Sequence, residues 1–370
     1  MKLTLATNWD NNLILKISKL NKNAKNRVVE VFGSRKCDFL GSCRPAEILP
    51  DVSYDNFKKH IELCHRNNIK FNYVLNAISF HNEEFTPEFR NKVTNFVSKL
   101  VSFGVDIVTV ANPLLIETIR EKFPKLYICA STACKIDTLR RIQWYEELNV
   151  NRIILETDIN RDFKLLRKIK ESTKLELEIL SNLSCIFQCP NNTYDYVCDG
   201  FRSQKKSTRP FYNYPKIKCT NIKLSNPVEL IKSPWIRPED VNFYSESGIH
   251  FLKIAGREAS TPWLINASAA YMDEKYEGNL FDLIGNQVIS DIGRITFGNL
   301  KKLAPLEVTL DNQTLTEFLN YFLMGKCNLD CEKCRYCDIW ASNIKINEKQ
   351  RNEYVDRSAF LLEKIKQNAI

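Results

Sequence analysis

Histidine is scarce in this chain, with four among 370 residues, and glycine is sparse at eleven. The four, His60, His65, His81 and His250, form no H-E-x-x-H pair, and no G-x-S-x-G occurs. Neither a zincin metal site nor a hydrolase nucleophile elbow is therefore written here. His60 and His65 stand five apart on one helical stretch, where packing or solvation accounts for them better than ligation. No run of about 18 uncharged apolar residues is present to span a bilayer, and the opening MKLTLATNWDNN lacks the basic lead into an apolar stretch that marks a secretory leader. Internal repeats and low-complexity tracts are also missing. These absences suggest a globular cytoplasmic chain with no membrane span, and 44% apolar residues supply a large core.

In that compartment disulfides are uncommon, so thirteen cysteines call for another explanation, metal or redox chemistry first. Cys37, Cys43, Cys64, Cys129 and Cys134 are scattered over the first half. Cys185, Cys189, Cys198 and Cys219 form one group, and Cys327, Cys331, Cys334 and Cys337 another.

Short β-branched or aromatic runs recur between stretches of helical periodicity: LTLAT, VVEVFG, FNYVLN, IVTVAN, YICAST, RIILET, LELEIL and HFLKIA. Strict strand and helix alternation of this kind predicts a (β/α)8 TIM-like barrel, with an open doubly wound sheet as the second choice. LELEIL and HFLKIA are separated by about 70 residues, far more than a crossover needs. The expected organisation is a barrel over residues 1–285 with an insertion at 182–248, followed by a cysteine-rich accessory region at 286–370 ending in a polar helical tail from Asn343. Catalytic groups of such barrels follow the carboxyl ends of strands, which nominates Ser34, Asn76, Asn112, Thr132, Glu156, Asn182, Lys253 and Arg257, with loop and helix capping as the plainer alternative. By the same rule Cys185 and Cys189 belong to the mouth, and Cys37, Cys43 and Cys134 lie near strand ends.

The carboxyl-terminal group reads C-N-L-D-C-E-K-C-R-Y-C, four thiols in eleven residues. Its composition is close to the bacterial ferredoxin run, with the longer gap placed first, so an iron-sulfur cluster is one candidate. Zinc is the alternative, although no second cysteine pair follows at knuckle spacing. The run also contains C-x3-C-x2-C, the spacing used by radical enzymes that bind S-adenosylmethionine, but it lies far from the first strand and Lys333 stands where an aromatic residue is usual.

The segments LELEILSNLSCIFQCP, KLSNP after Cys219, FLKIAGREASTPWLINASAAY and FGSRKCDFLGSCRPAEILP together resemble the collagenase-like peptidase family, peptidase family U32, over roughly residues 1–285. The resemblance implies a barrel with a cysteine-bound 4Fe-4S cluster, and it aligns Cys185, Cys189 and Cys219, with Cys198 as the fourth, on the family's cluster ligands. Family members commonly carry a longer gap between the first two cysteines and a glycine ahead of the second, where this chain has Gln188. Other members are associated with oxygen-independent hydroxylation of a quinone precursor or of a nucleobase in RNA.

Such chemistry assigns Lys253 and Arg257 to an anionic substrate or donor, and Glu156 to general acid or base work. A salt bridge closing the barrel is the plainer role for the two cations, and pairing with Arg257 the plainer role for Glu156. The net charge of +9 is concentrated at residues 201–223, which hold seven Lys and Arg, no acid, and Phe201, Phe211, Tyr212 and Tyr214. Basic residues interleaved with aromatics suit an anionic or aromatic substrate, RNA or peptide. An electron donor protein and a partner subunit complete the expected partners. The competing readings are a non-catalytic iron-sulfur carrier or assembly partner, and a peptidase.

Overall fold

The β-branched runs form the staves of a closed parallel barrel, β1 (Lys2–Ala6), β2 (Arg27–Gly33), β3 (Lys70–Leu75), β4 (Ile107–Val110), β5 (Tyr127–Ala130), β6 (Arg152–Ile154), β7 (Glu176–Leu180) and β8 (Phe251–Ile254). This is a computed structural model that describes residues 1–36, 38–204, 213–284 and 301–367. Cys37, positions 205–212 of the basic segment and the boundary expected at 285/286 lie outside the described residues. Strands pair in sequence order, and β1 returns to β8 through Leu3 opposite Leu252 and Leu5 opposite Ile254, which leaves no free edge.

Around the barrel run α1 (Asn11–Leu20), α2 (Tyr54–Arg66), α3 (Pro87–Ser102), α4 (Pro113–Lys122), α5 (Leu139–Glu147) and α6 (Phe163–Ser172). Their starts are set locally. Ser53, Thr86, Asn112, Thr138 and Asp162 each accept a backbone N–H of the first turn, and Pro87 and Pro113 occupy positions where no amide partner is lost. The apolar stripe of each helix, for example Val93, Val97 and Leu100 of α3, packs on the strands.

The insertion after β7 is helical: α7 (Asn192–Ser203), α8 (Tyr214–Ser225), α9 (Val228–Lys232) and α10 (Val241–Glu246), with α11 (Thr261–Asp273) following β8. Beyond it come β9 (Val308–Thr309), α12 (Asn320–Leu323), α13 (Cys331–Cys334), α14 (Tyr336–Ala341), β10 (Lys345–Ile346) and α15 (Glu348–Lys366). The tail helix thus starts at Glu348, capped by Asn347, because β10 first pairs antiparallel with β9. Tyr354, Leu361 and Leu362 of α15 pack on Ile217 and Leu224 of α8. Buried Arg237 donates to the Leu315 carbonyl at 2.7 Å and to Asn312 at 3.1 Å, tying the insertion to the accessory region. No helix among the described residues is long and apolar enough to cross a membrane.

The barrel interior is charged. Arg152 bridges Glu30 at 2.7 Å and Glu178 at 3.2 Å, and Glu178 also accepts from Thr4 and faces Lys253 at 3.6 Å. Burial alone would raise the Glu178 carboxyl, but Lys253 and Arg152 hold it below the ordinary range. Removing one member of a buried network strands the others, so Arg152→Met should lose about 3–5 kcal/mol of stability. Urea unfolding checks this, and a loss below about 1 kcal/mol would show that the network is dispensable.

Candidate functional site

At the carboxyl ends of the strands lies a cavity of about 540 Å³, and Cys43, Cys185, Cys189 and Cys219 line it. Local geometry aims the two middle thiols. Asn182 clasps the end of β8, accepting the Ala255 N–H at 2.8 Å and donating to the Ala255 carbonyl at 2.9 Å. Three residues later the chain carries Cys185 into the mouth. Gln188 then takes φ 51°, a left-handed conformation in which glycine is most at ease, and its N–H is held by the Asp158 carboxylate at 3.0 Å. That is the position where the family resemblance expects glycine.

Cys219 arrives from α8, whose residues Lys216, Cys219 and Lys223 share one face of the helix and all line the cavity. Lys223 donates to Ser184 at 3.1 Å. Burial pushes the Cys185 thiol up to about 12, with Lys223 opposing and Cys219 reinforcing the rise, so the two thiols are electrostatic neighbours. Cys189 is likewise raised by burial and by Cys219. Cys198 is placed differently: it is buried in α7 beside the Tyr194 hydroxyl, Asp195 and Asp199, and does not line the cavity.

Soft thiolates on a shared wall match the donor set of an iron-sulfur group. Cys185, Cys189 and Cys219 supply donors of that kind. Among the described residues no three His, Cys, Asp or Glu side chains stand close enough to share a single ion.

The remaining wall is cationic. Arg44, Arg202, Lys216, Lys223, Lys253 and Arg257 face two carboxylates, Asp195 and Glu258, and burial raises Asp195 to about 6. Gly256, at φ 140°, takes a backbone path open to glycine, and a side chain there would strike Trp263 at 2.7 Å; it turns the chain so that Arg257 enters the mouth. Arg257 donates to the hydroxyls of Ser34 at 2.5 Å and Ser42 at 3.2 Å. No carboxylate among the described residues lies within ion-pair distance of it. Burial and the neighbouring Arg44 pull its guanidinium down to about 10. Lys253 is 6% exposed and, among the described residues, its Nζ has no hydrogen-bond partner; it faces Glu178 at 3.6 Å and lies 3.6 Å from the centre of the Phe32 ring.

Of the strand-end residues picked from sequence, Asn76, Thr132, Lys253 and Arg257 line the cavity. Ser34 and Asn182 act behind it, Asn112 caps α4, and Glu156 is paired with Lys135 at 2.8 Å instead of with Arg257. Cys134 is withdrawn toward carbonyls of β4 and its following loop. Sequence reasoning missed Arg44, Lys223 and Tyr196. The i, i+3, i+7 spacing of Lys216, Cys219 and Lys223 was the signal for the second, and adjacency to Cys43 for the first.

The profile of peptidase family U32 matches residues 41–188, a span that runs from the loop after β2 to the loop carrying Cys185. Over those residues the chain is similar to peptidase family U32. A relative described as the uncharacterized protease MJ1657 of Methanocaldococcus jannaschii is 28% identical over 335 residues, covering 88% of this chain and 91% of that one. The solved structure of the U32 peptidase Mk0906 superposes with a TM-score of 0.51 at 13% identity, over 69% of this chain and 92% of that chain. At that identity the second likeness speaks for the barrel alone.

A buried guanidinium held by hydroxyls, with no carboxylate at ion-pair distance among the described residues, costs stability. Arg257→Met should therefore raise stability by about 1 kcal/mol and weaken binding of anions to the mouth. A urea melt paired with phosphate titration checks both effects; destabilisation with unchanged phosphate binding would assign Arg257 to structure.

Proposed function

We propose that this U32 protein is an iron-sulfur enzyme that modifies an anionic, ring-bearing substrate at the barrel mouth without using molecular oxygen. The single observation that carries the reading is the joint lining of one cavity by four thiols and six cations. A 4Fe-4S cluster held by Cys185, Cys189 and Cys219 would supply one-electron chemistry there. The chain's own residues do the rest. Arg257 and Arg44 bind the anionic part of the substrate, Lys253 offers at the floor an ammonium that faces Glu178 at 3.6 Å without a hydrogen bond, and Phe32 and Tyr196 give the ring apolar faces. Asn76, Ser131 and Thr132 also line the cavity, held in place by hydrogen bonds between Asn76 and Ser131 and from Thr132 to the Leu155 carbonyl.

Among ring-bearing anions, a nucleobase in single-stranded RNA is favoured by Arg202 and Lys216, the cavity-lining ends of the basic and aromatic stretch. An acidic peptide is the second choice. Proteolysis through a cysteine and histidine pair has little support. His60 sits between Thr7 and Asn11, His65 against Asp106, His81 on the ring of Phe201 and His250 by Lys170, and none lines the mouth. An open cavity of about 540 Å³ with charged side chains on its wall also favours an enzyme over a pure electron carrier, whose barrel needs no such space.

Iron and acid-labile sulfide measured on anaerobically purified protein test the proposal. Cys185→Ser and Cys219→Ser should each lower both, while Cys198→Ser retains them; zinc without sulfide in the wild-type chain would overturn the reading. A labelled single-stranded RNA should bind more weakly as salt rises, and equal affinity in a Lys216→Gln, Arg202→Gln variant would remove RNA from the substrate class.

A further inference from the structure

The second cysteine group lies outside the mouth and has its own cavity. Cys327, Cys331, Cys334 and Cys337 line one surface cavity together with Lys232, Tyr321 and Tyr336. The backbone is bent to bring them there. Leu329 at φ 65° and Arg335 at φ 53° flank the single turn of α13, left-handed positions that cost of order 1 kcal/mol each and persist where surroundings enforce them. The Cys334 N–H closes the turn on the Asp330 carbonyl at 2.9 Å, and the Tyr321 hydroxyl lies 3.1 Å from the Cys334 sulfur.

Charge and packing around the four thiols are those of a built site. Lys232 faces Cys331 and Cys337, and Arg161 faces Cys337 and Cys327. Arg161 is itself fixed by the carbonyls of Ile231 and Ser233 at 2.8 and 2.7 Å. Two cations opposite four sulfurs suit thiolates bound to iron, whose cluster would carry net negative charge. Behind the thiols, Tyr321 stacks on Tyr336 at 4.1 Å, and Phe318, Phe322 and Trp340 continue the aromatic wall. A single tetrahedral zinc, with bonds of about 2.3 Å, needs its four sulfurs nearly in contact. These thiols share a cavity without any three being near enough for one ion.

The site also adjoins the mouth. One turn after β6 lies near both cysteine groups: Asp158 holds the Gln188 N–H next to Cys189, and Arg161, three residues on, is an electrostatic neighbour of Cys327 and Cys337. Three residues of chain span at most about 11 Å.

We propose that Cys327, Cys331, Cys334 and Cys337 hold a second iron-sulfur cluster, half-exposed on the barrel rim, through which single electrons pass from an external reductant to the mouth. The cluster gains one electron from a reduced donor protein, which is oxidised by one, and returns to its starting state on passing that electron inward; no covalent bond is made or broken. The relay role rests on the function proposed for the mouth, whereas the binding site does not.

The test compares iron, sulfide and zinc in the anaerobically purified full chain, a Cys331→Ser, Cys334→Ser variant and a Cys185→Ser, Cys219→Ser variant, each checked for an unchanged circular dichroism spectrum. The carboxyl-terminal variant should lose about half the iron and sulfide and keep the paramagnetic resonance signal of the mouth cluster. Iron unchanged in that variant, or loss of zinc alone, overturns the proposal. Iron lost there but fully retained in the mouth variant would overturn the function proposed for the mouth while leaving this site standing. Lys232→Gln gives a readout independent of ligand loss: it should keep the iron and lower the midpoint potential of one of the two signals. An unchanged potential would contradict the placement of a cluster beside Lys232.

Discussion

Glu178 is the group on which the rest of the barrel depends. It is fully buried at the centre of the sheet cylinder and is shared by Thr4 on β1, Arg152 on β6 and Lys253 on β8. Buried charges cost several kcal/mol each unless they are paired, and here five strands are committed to satisfying one another, since Arg152 also reaches Glu30 on β2. Asn72 and Thr109 extend the chain of bonds across β3 and β4. The polar interior fixes strand register and leaves Lys253 pointing its ammonium up to the cavity floor.

What the cylinder supports at its mouth is an unusual pairing of soft thiols with hard cations. Each alone has an ordinary explanation: cysteines can pack as small apolar groups, and arginines can close a rim. Together they do not, because Arg257 and Lys253 are buried with fewer partners than burial requires, and three thiols converge on the same wall. The long insertion after β7 makes this possible by bringing α8 over the mouth, and α15 holds α8 in place through Tyr354, Leu361 and Leu362. The accessory region is thus part of the support of the site.

The barrel was legible in the sequence because each strand is a short β-branched run and each helix has its own cap, signals that survive without tertiary context. All eight runs became strands, and the 182–248 insertion holds three of the residues that matter most. Side-chain orientation was less legible. Cys198 has a spacing compatible with ligation, yet the periodicity of α7 turns it toward Tyr194 and Asp199. Glu156 ends β6 as a catalytic residue would, but the αL turn at Lys135 delivers a closer cation than Arg257. Arg44 was invisible for the opposite reason: its loop has no periodicity, and only the closure of the barrel sets it beside Arg257.

The central claim is that a redox group and an anion site occupy one cavity. It is tested most directly by electron paramagnetic resonance of the reduced, anaerobically purified chain, recorded with and without a short single-stranded RNA. The expected result is a cluster signal whose shape changes on adding RNA, with the change lost in Arg257→Met. A signal that is present but indifferent to RNA, or equally sensitive in that variant, would contradict the account.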